Sequence, residues 1–145
     1  GRLELHVQSG RKSLSARSMV YFYRKDSSLL TMYAAPAVTH SSSDLQGGYN
    51  LFLNFANWLR VYNTGNTASR ATVTVYSGGI ALRAVEVDVP AHGGADVGLH
   101  GSTFALSQDT YGRVEISGNN LVADILRVRY QPTLDPAFIM ATSTN

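Results

Sequence analysis

Along most of the chain, apolar and polar residues alternate with a period of two, the spacing at which successive side chains fall on opposite faces of a strand. In Ala71–Tyr76 valines alternate with threonines, both good strand residues. In Ala84–Val89, Val85, Val87 and Val89 share one face while Glu86 and Asp88 take the other. Ser77-Gly78-Gly79 lies between these runs and supplies the positive φ angles of a tight hairpin turn. Arg113–Ile116 and Leu121–Tyr130 predict a second hairpin, turning at Ser117-Gly118-Asn119-Asn120. Further strands are predicted at Leu3–Val7, at Ser18–Tyr23, at Trp58–Tyr62 (closed by Asn63-Thr64-Gly65-Asn66) and at Ala95–Leu99 after the Pro90–Gly94 break. Leu51–Tyr62 is the one window where a helix competes, and it lacks a helical stripe.

About ten to twelve short strands, with turn signals about every 8–12 residues, predict an all-β fold. The expected architecture is an antiparallel β-sandwich, immunoglobulin-like or jelly-roll-like, occupying residues 1–145 as one unit. Its expected core includes Leu59, Val61, Val73, Val75, Val85, Val87, Val89, Val97, Leu99, Val114, Ile116, Leu126 and Val128, with Trp58 as the anchor between sheets.

The two ends of the chain are alike. Gly1-Arg2-Leu3-Glu4-Leu5 matches Gly112-Arg113-Val114-Glu115-Ile116, and Ala16, Tyr23, Met32 and Ala34 match Ala123, Tyr130, Ile139 and Ala141. The two sets are out of step by one turn, at Gly10–Ser13, and turns are where repeats tolerate length change. The expectation is a partial repeat, residues 1–35 resembling 112–145, followed by a complete repeat unit over 40–145.

The series Asn57-Trp58-Leu59-x-Val61-x-Asn63, then Val73-x-Val75, then Val85-x-Val87-x-Val89-Pro90-Ala91-x-Gly93, resembles tandem immunoglobulin-like β-sandwich repeats of bacterial surface and secreted proteins. The resemblance covers about residues 50–130 and rests on strand spacing rather than on a site. It implies spacer, stalk or adhesive roles. The chain departs from hallmark immunoglobulin domains in having no cysteine pair.

Composition narrows the chemistry. A 44% hydrophobic, 15% charged chain is a folded one. No run approaches the ~20 apolar residues of a membrane helix, so membrane insertion is not expected. Zero cysteines exclude disulfides, thiolate metal sites and cysteine nucleophiles. A net charge of +2, with no run of four basic residues, predicts no nucleic-acid partner. Gly1-Arg2-Leu3-Glu4 lacks the basic head and apolar core of a signal peptide, although a Ser/Thr/Gly/Asn-rich surface with few charges suits an extracellular or cell-surface location.

No catalytic, cofactor or metal site is expected. His92, Asp96 and His100 lie four apart. On an extended strand four residues span about 13 Å, too far to close on one ion with ligand distances near ~2 Å. No Gly-x-Ser-x-Gly elbow and no Gly-Lys-Ser/Thr phosphate loop occurs. Asp44, Asp109 and Asp135 do not follow a calcium-loop spacing. Glu86/Asp88, and Glu4 beside Glu115, read as solvated strand faces. Two surface features remain as ligand or partner contacts. Tyr21 and Tyr23 share a strand face with Met19, an aromatic ladder suited to sugar stacking or protein contact. Arg127 and Arg129 share another, with Arg113 and Glu115 expected on the neighbouring strand, and planar guanidinium forks suit acidic groups.

The functional expectation is a non-catalytic extracellular structural or adhesive module, meeting protein subunits or repeats of its own kind through strand or edge contacts. A carbohydrate-binding module is the alternative. A viral capsid or fibre protein, or a hydrolase whose residues converge only in three dimensions, also fits the sequence pattern.

Overall fold

Period-two alternation of valines, threonines and aromatics draws the chain out into nine strands among the described residues. They are β1 (Arg17–Tyr23), β2 (Leu29–Pro36), β3 (Ser42–Asn50), β4 (Phe55–Asn63), β5 (Ser69–Ser77), β6 (Ile80–Val89), β7 (Gly94–Gly98), β8 (Tyr111–Tyr130) and β9 (Pro136–Ser143). The computed structural model describes residues 5, 8–10, 16–38, 40–130 and 136–143. The strand expected at Leu3–Val7, the turn at Gly10–Ser13 and Asp135 fall wholly or largely outside them. The window in which helix competed with strand resolves into a single 3₁₀ turn, Phe52–Asn54, and then β4.

The long strand β8 organises the fold. Its first half lies between β3 and β5, and its second half lies between β4 and β9. Adding β6 to β5 and β7 to β4 gives a curled sheet whose two halves face each other. Between them Leu59, Val61, Val73, Val75, Val114, Ile116, Leu121 and Ile125 are buried, all at 1% exposure or less. Phe104, from the loop between β7 and β8, packs into the same core. The fold is the expected all-β antiparallel sandwich. The β5–β6 hairpin also turns where expected, with φ of 57° at Gly78 and 82° at Gly79, the positive pair that a two-residue turn requires.

The second expected hairpin is not there. Arg113–Ile116 and Leu121–Tyr130 are one continuous strand, and Ser117–Asn120 bends it rather than reversing it. On one side of this corner Val114 and Ile116 face the core, and on the other Leu121, Ala123 and Ile125 do. Even positions thus give way to odd ones. The ladder with β3 is irregular at the same place, pairing Asp44 with Ser117 but Ser42 with Leu121. Such a bulge bends a strand while keeping its apolar side inward. Gly118 sits where the chain passes β5: an added Cβ would lie 2.8 Å from the Arg70 carbonyl oxygen. Glycine and asparagine signal a break in alternation, and here the break is spent on a corner.

Strands β1 and β2 form a separate two-stranded sheet. One face carries Val20, Tyr33 and Ala35, which pack on Leu126 and Val128 of β8 and on Trp58 of β4. Leu126 and Val128 are therefore buried as expected, but under the hairpin, on the side of β8 opposite the main core. Trp58 is likewise no anchor between the sheet halves. It lies half-buried on that outer side, edge-on to His100 with ring centroids 4.8 Å apart.

The β1–β2 ladder repeats the β8–β9 ladder residue for residue. Arg17 opposite Pro36 corresponds to Asp124 opposite Ser143, and Val20 opposite Tyr33 to Arg127 opposite Met140. Both ladders slip at the same point, between Phe22 and Tyr23 in one and between Arg129 and Tyr130 in the other.

Candidate interaction surface

Because Val20, Tyr33 and Ala35 face inward, the alternate positions of the hairpin face out. Met19, Tyr21, Tyr23 and Met32 form that outer side, exposed by 45%, 48%, 61% and 52% respectively. Tyr21 and Tyr23, two apart on β1, lie with ring centroids 6.5 Å apart and planes inclined by 27°. Leu29 and Val38 add exposed apolar surface near the same sheet. Scattered single apolar side chains are ordinary on a protein surface, whereas Met19, Tyr21, Tyr23 and Met32 share one sheet face, which makes it the candidate contact surface.

Arg127 and Arg129 occupy the other side of β8, away from the hairpin. They do not act as a pair. Arg127 bends over β3, its guanidinium 3.4 Å from the Gly48 carbonyl oxygen, and burial holds it below its usual pKa. Its Nε is buried without a hydrogen-bond partner among the described residues. Arg129 is exposed. The tyrosines thus lie on the outer face of the hairpin, whereas the arginines continue the core-facing side of β8 beyond Ile125, and the two sets do not converge. Arg113 and Glu115 are on β8 itself rather than on a neighbouring strand, and they pair with each other at 2.9 Å.

The remaining polar groups hold structure together. Arg70 pairs with Asp88 at 2.9 Å and Glu86 at 3.2 Å across the exposed side of the β5–β6 hairpin. His92 sits in the turn before β7, Asp96 on β7, and His100 beyond it with Nδ1 3.0 Å from the Asn57 carbonyl oxygen. Among the described residues no three His, Asp or Glu side chains gather into a metal-sized group.

Three residues from three strands hold the surface in place through contacts that strand alternation does not signal. Arg60 on β4 clasps Asp124 of β8, Nε to Oδ1 at 2.7 Å with a second, shorter contact between the same groups. The hydrogen bond to Asp124 raises the Arg60 pKa, against the opposing effect of burial. Arg60 then donates to the Tyr33 hydroxyl at 2.8 Å, fastening the hairpin to the sandwich. The strand pattern carried no sign of this, since Arg60 sat at an ordinary polar position. Asn57 and Asn63, both fully buried, pin the ends of β4. Asn57 Nδ2 donates to the Asn50 carbonyl at 2.7 Å, and Asn63 Nδ2 to that of Thr67 at 2.7 Å. Buried amides survive only when so satisfied.

No family model and no curated protein matches the chain. Among solved structures, a crystal structure of Thermotoga maritima 1070 is similar, with a TM-score of 0.61 over 72% of this chain and 94% of that one, at 13% sequence identity. At that identity the likeness shows the fold and nothing finer.

Proposed function

We propose that this chain is a non-catalytic structural or adhesive β-sandwich module of the extracellular space, working through contacts with units of its own kind. The observation that carries this reading is the outer face of the β1–β2 hairpin: Met19, Tyr21, Tyr23 and Met32 form a firmly backed apolar patch open to solvent. Its rigidity comes from the docked face behind it, so a partner meets a surface already ordered, at little conformational cost. The spacing resemblance to tandem surface repeats supports the same role. Light scattering after size-exclusion chromatography over a wide concentration range tests it. Reversible association that Met32→Lys weakens is expected; a strict monomer at every concentration, with or without that substitution, overturns it.

A second reading, carbohydrate binding, is favoured by the near-parallel Tyr21 and Tyr23 rings, spaced for successive sugar faces. A glycan array probed with the protein and with its Tyr21→Ala and Tyr23→Ala variants decides it. Binding lost in both variants supports a sugar platform, and binding absent or unchanged removes it.

A further inference from the structure

The matched ladders say what the hairpin is missing. In the complete unit, β8 pairs on one edge with β9 and on the other with β4, from Leu121 opposite Asn63 to Arg129 opposite Phe55. Its counterpart β1 pairs on the equivalent edge with β2, and among the described residues no strand lies on its other edge. An unpaired edge of alternating apolar residues is a template for strand addition. We propose that β1 is a β8-type strand whose open edge receives the β4-type strand of another unit of this fold, one that precedes this unit in a tandem array. This rests on the reading that the chain works by contact with its own kind, and it names the edge and the partner.

Charge specifies the partner further. The counterpart of Asp124 in β1 is Arg17, at the same register position. In the complete unit Arg60 of β4 stands opposite Asp124 and clasps it. The strand that lies beside β1 therefore carries a carboxylate where β4 carries Arg60. A second copy of this chain does not meet that need. Its β4 would set Arg60 against Arg17, and that strand is already flanked on both edges, by β7 and β8. Like charges directly opposite on adjacent strands are destabilising. The occupant is thus a unit related in fold and reversed in charge at this one position.

The test sets two synthetic peptides against the intact protein. One has the β4 sequence Phe55–Asn63, and the other is the same peptide with Arg60→Glu. Affinity is read by titration, and the location by hydrogen exchange. The Arg60→Glu peptide should protect the amides of Arg17–Tyr23 and bind roughly threefold or more tightly than the native-sequence peptide. An Arg17→Glu protein should reverse the preference; Arg17 is exposed, so this variant tests charge rather than folding. Equal binding of the two peptides, a preference that Arg17→Glu leaves in place, or protection elsewhere overturns the proposal. So does protection of β1 that grows with protein concentration alone, which would assign the edge to identical copies. Association through the Met32 face with no response from β1 would sink this proposal while leaving the proposed function standing.

Discussion

Arg60 reaches the Tyr33 hydroxyl at 2.8 Å, and that bond joins two sheets that share no ladder. The guanidinium lies 5.7 Å from the Tyr33 ring centroid and is held from behind by Asp124. Arg60 and Asp124 are both mostly buried, with side-chain exposures of 20% and 18%, so water screens the pair less than a surface bridge. The hairpin's position on the sandwich, and hence the backing of its outer patch, depends on this chain of contacts together with the apolar cluster beside it.

Removing the Tyr33 hydroxyl separates these contributions. Tyr33→Phe keeps the ring and deletes the acceptor of the Arg60 bond, a loss of about 1 kcal/mol or somewhat more for a bond to a charged donor. Hydrogen exchange should accelerate across Arg17–Pro36 while the amides of Leu59 and Ile125 keep their protection. Uniform acceleration throughout the chain would show that the hairpin does not open on its own.

Ile125 and Leu126 are neighbours on β8 that serve different layers. Ile125 is fully buried in the main core, whereas Leu126, 9% exposed, lies under the hairpin. Ile125→Ala should cost about 2–5 kcal/mol in global stability, the range for truncating a core aliphatic. Leu126→Ala should cost less by urea denaturation and should show itself as local opening of β1 and β2. Equal global losses would mean that the hairpin and the sandwich unfold as one.

Alternation made most of the sandwich legible. Val73, Val75, Val89, Val97 and Leu99 are buried where period two puts them, because a half-buried strand leaves its imprint on every second residue. The corner at Gly118 is not legible in the sequence, because a bulge and a hairpin turn call for the same residues and only the pairing of distant strands tells them apart. The side on which Trp58 lies is equally hidden, because period two assigns residues to faces without saying which face is the larger core. Arg60, Asp124 and Tyr33 come from three strands, and nothing local couples them. Tyr21 and Tyr23 could be placed on a common face from sequence, but the reason that face is open lies in the docking of its reverse side.

The two glycines of β8 have separate steric reasons. At Gly112 an added Cβ would overlap the Tyr76 carbonyl oxygen, and at Gly118 it would press on Leu121 and on the Arg70 carbonyl. In both cases much of the obstacle is backbone of β5, which cannot turn aside as a side chain can. Gly112→Ala and Gly118→Ala should each destabilise by roughly 1–3 kcal/mol, the usual cost of overpacking. Gly101→Ala, where the nearest atom is 4.0 Å away, serves as the control and should be close to neutral in the same denaturation series. A near-neutral Gly118→Ala would mean that the corner yields.

Alkaline pH should weaken the fold through Tyr49. Its ring is buried, at 2% exposure, and its hydroxyl donates to the Tyr76 carbonyl at 3.0 Å. Burial raises its pKa above the ordinary value of 10.0, since the phenolate is poorly solvated there. Below pH 10 the group is protonated whether folded or unfolded, and its contribution is intact. Above it the unfolded chain gives up the proton first, so the unfolded state binds fewer protons and stability falls as pH climbs towards the folded pKa. Burial raises Tyr62 in the same direction, opposed by Arg60, so part of the slope is its own. Urea midpoints measured from pH 8 to pH 11 should decline, and Tyr49→Phe should flatten the decline while lowering the pH 8 midpoint by the lost hydrogen bond, about 1 kcal/mol. An unchanged slope in Tyr49→Phe would place the alkaline sensitivity elsewhere, with Tyr62→Phe the next variant to measure.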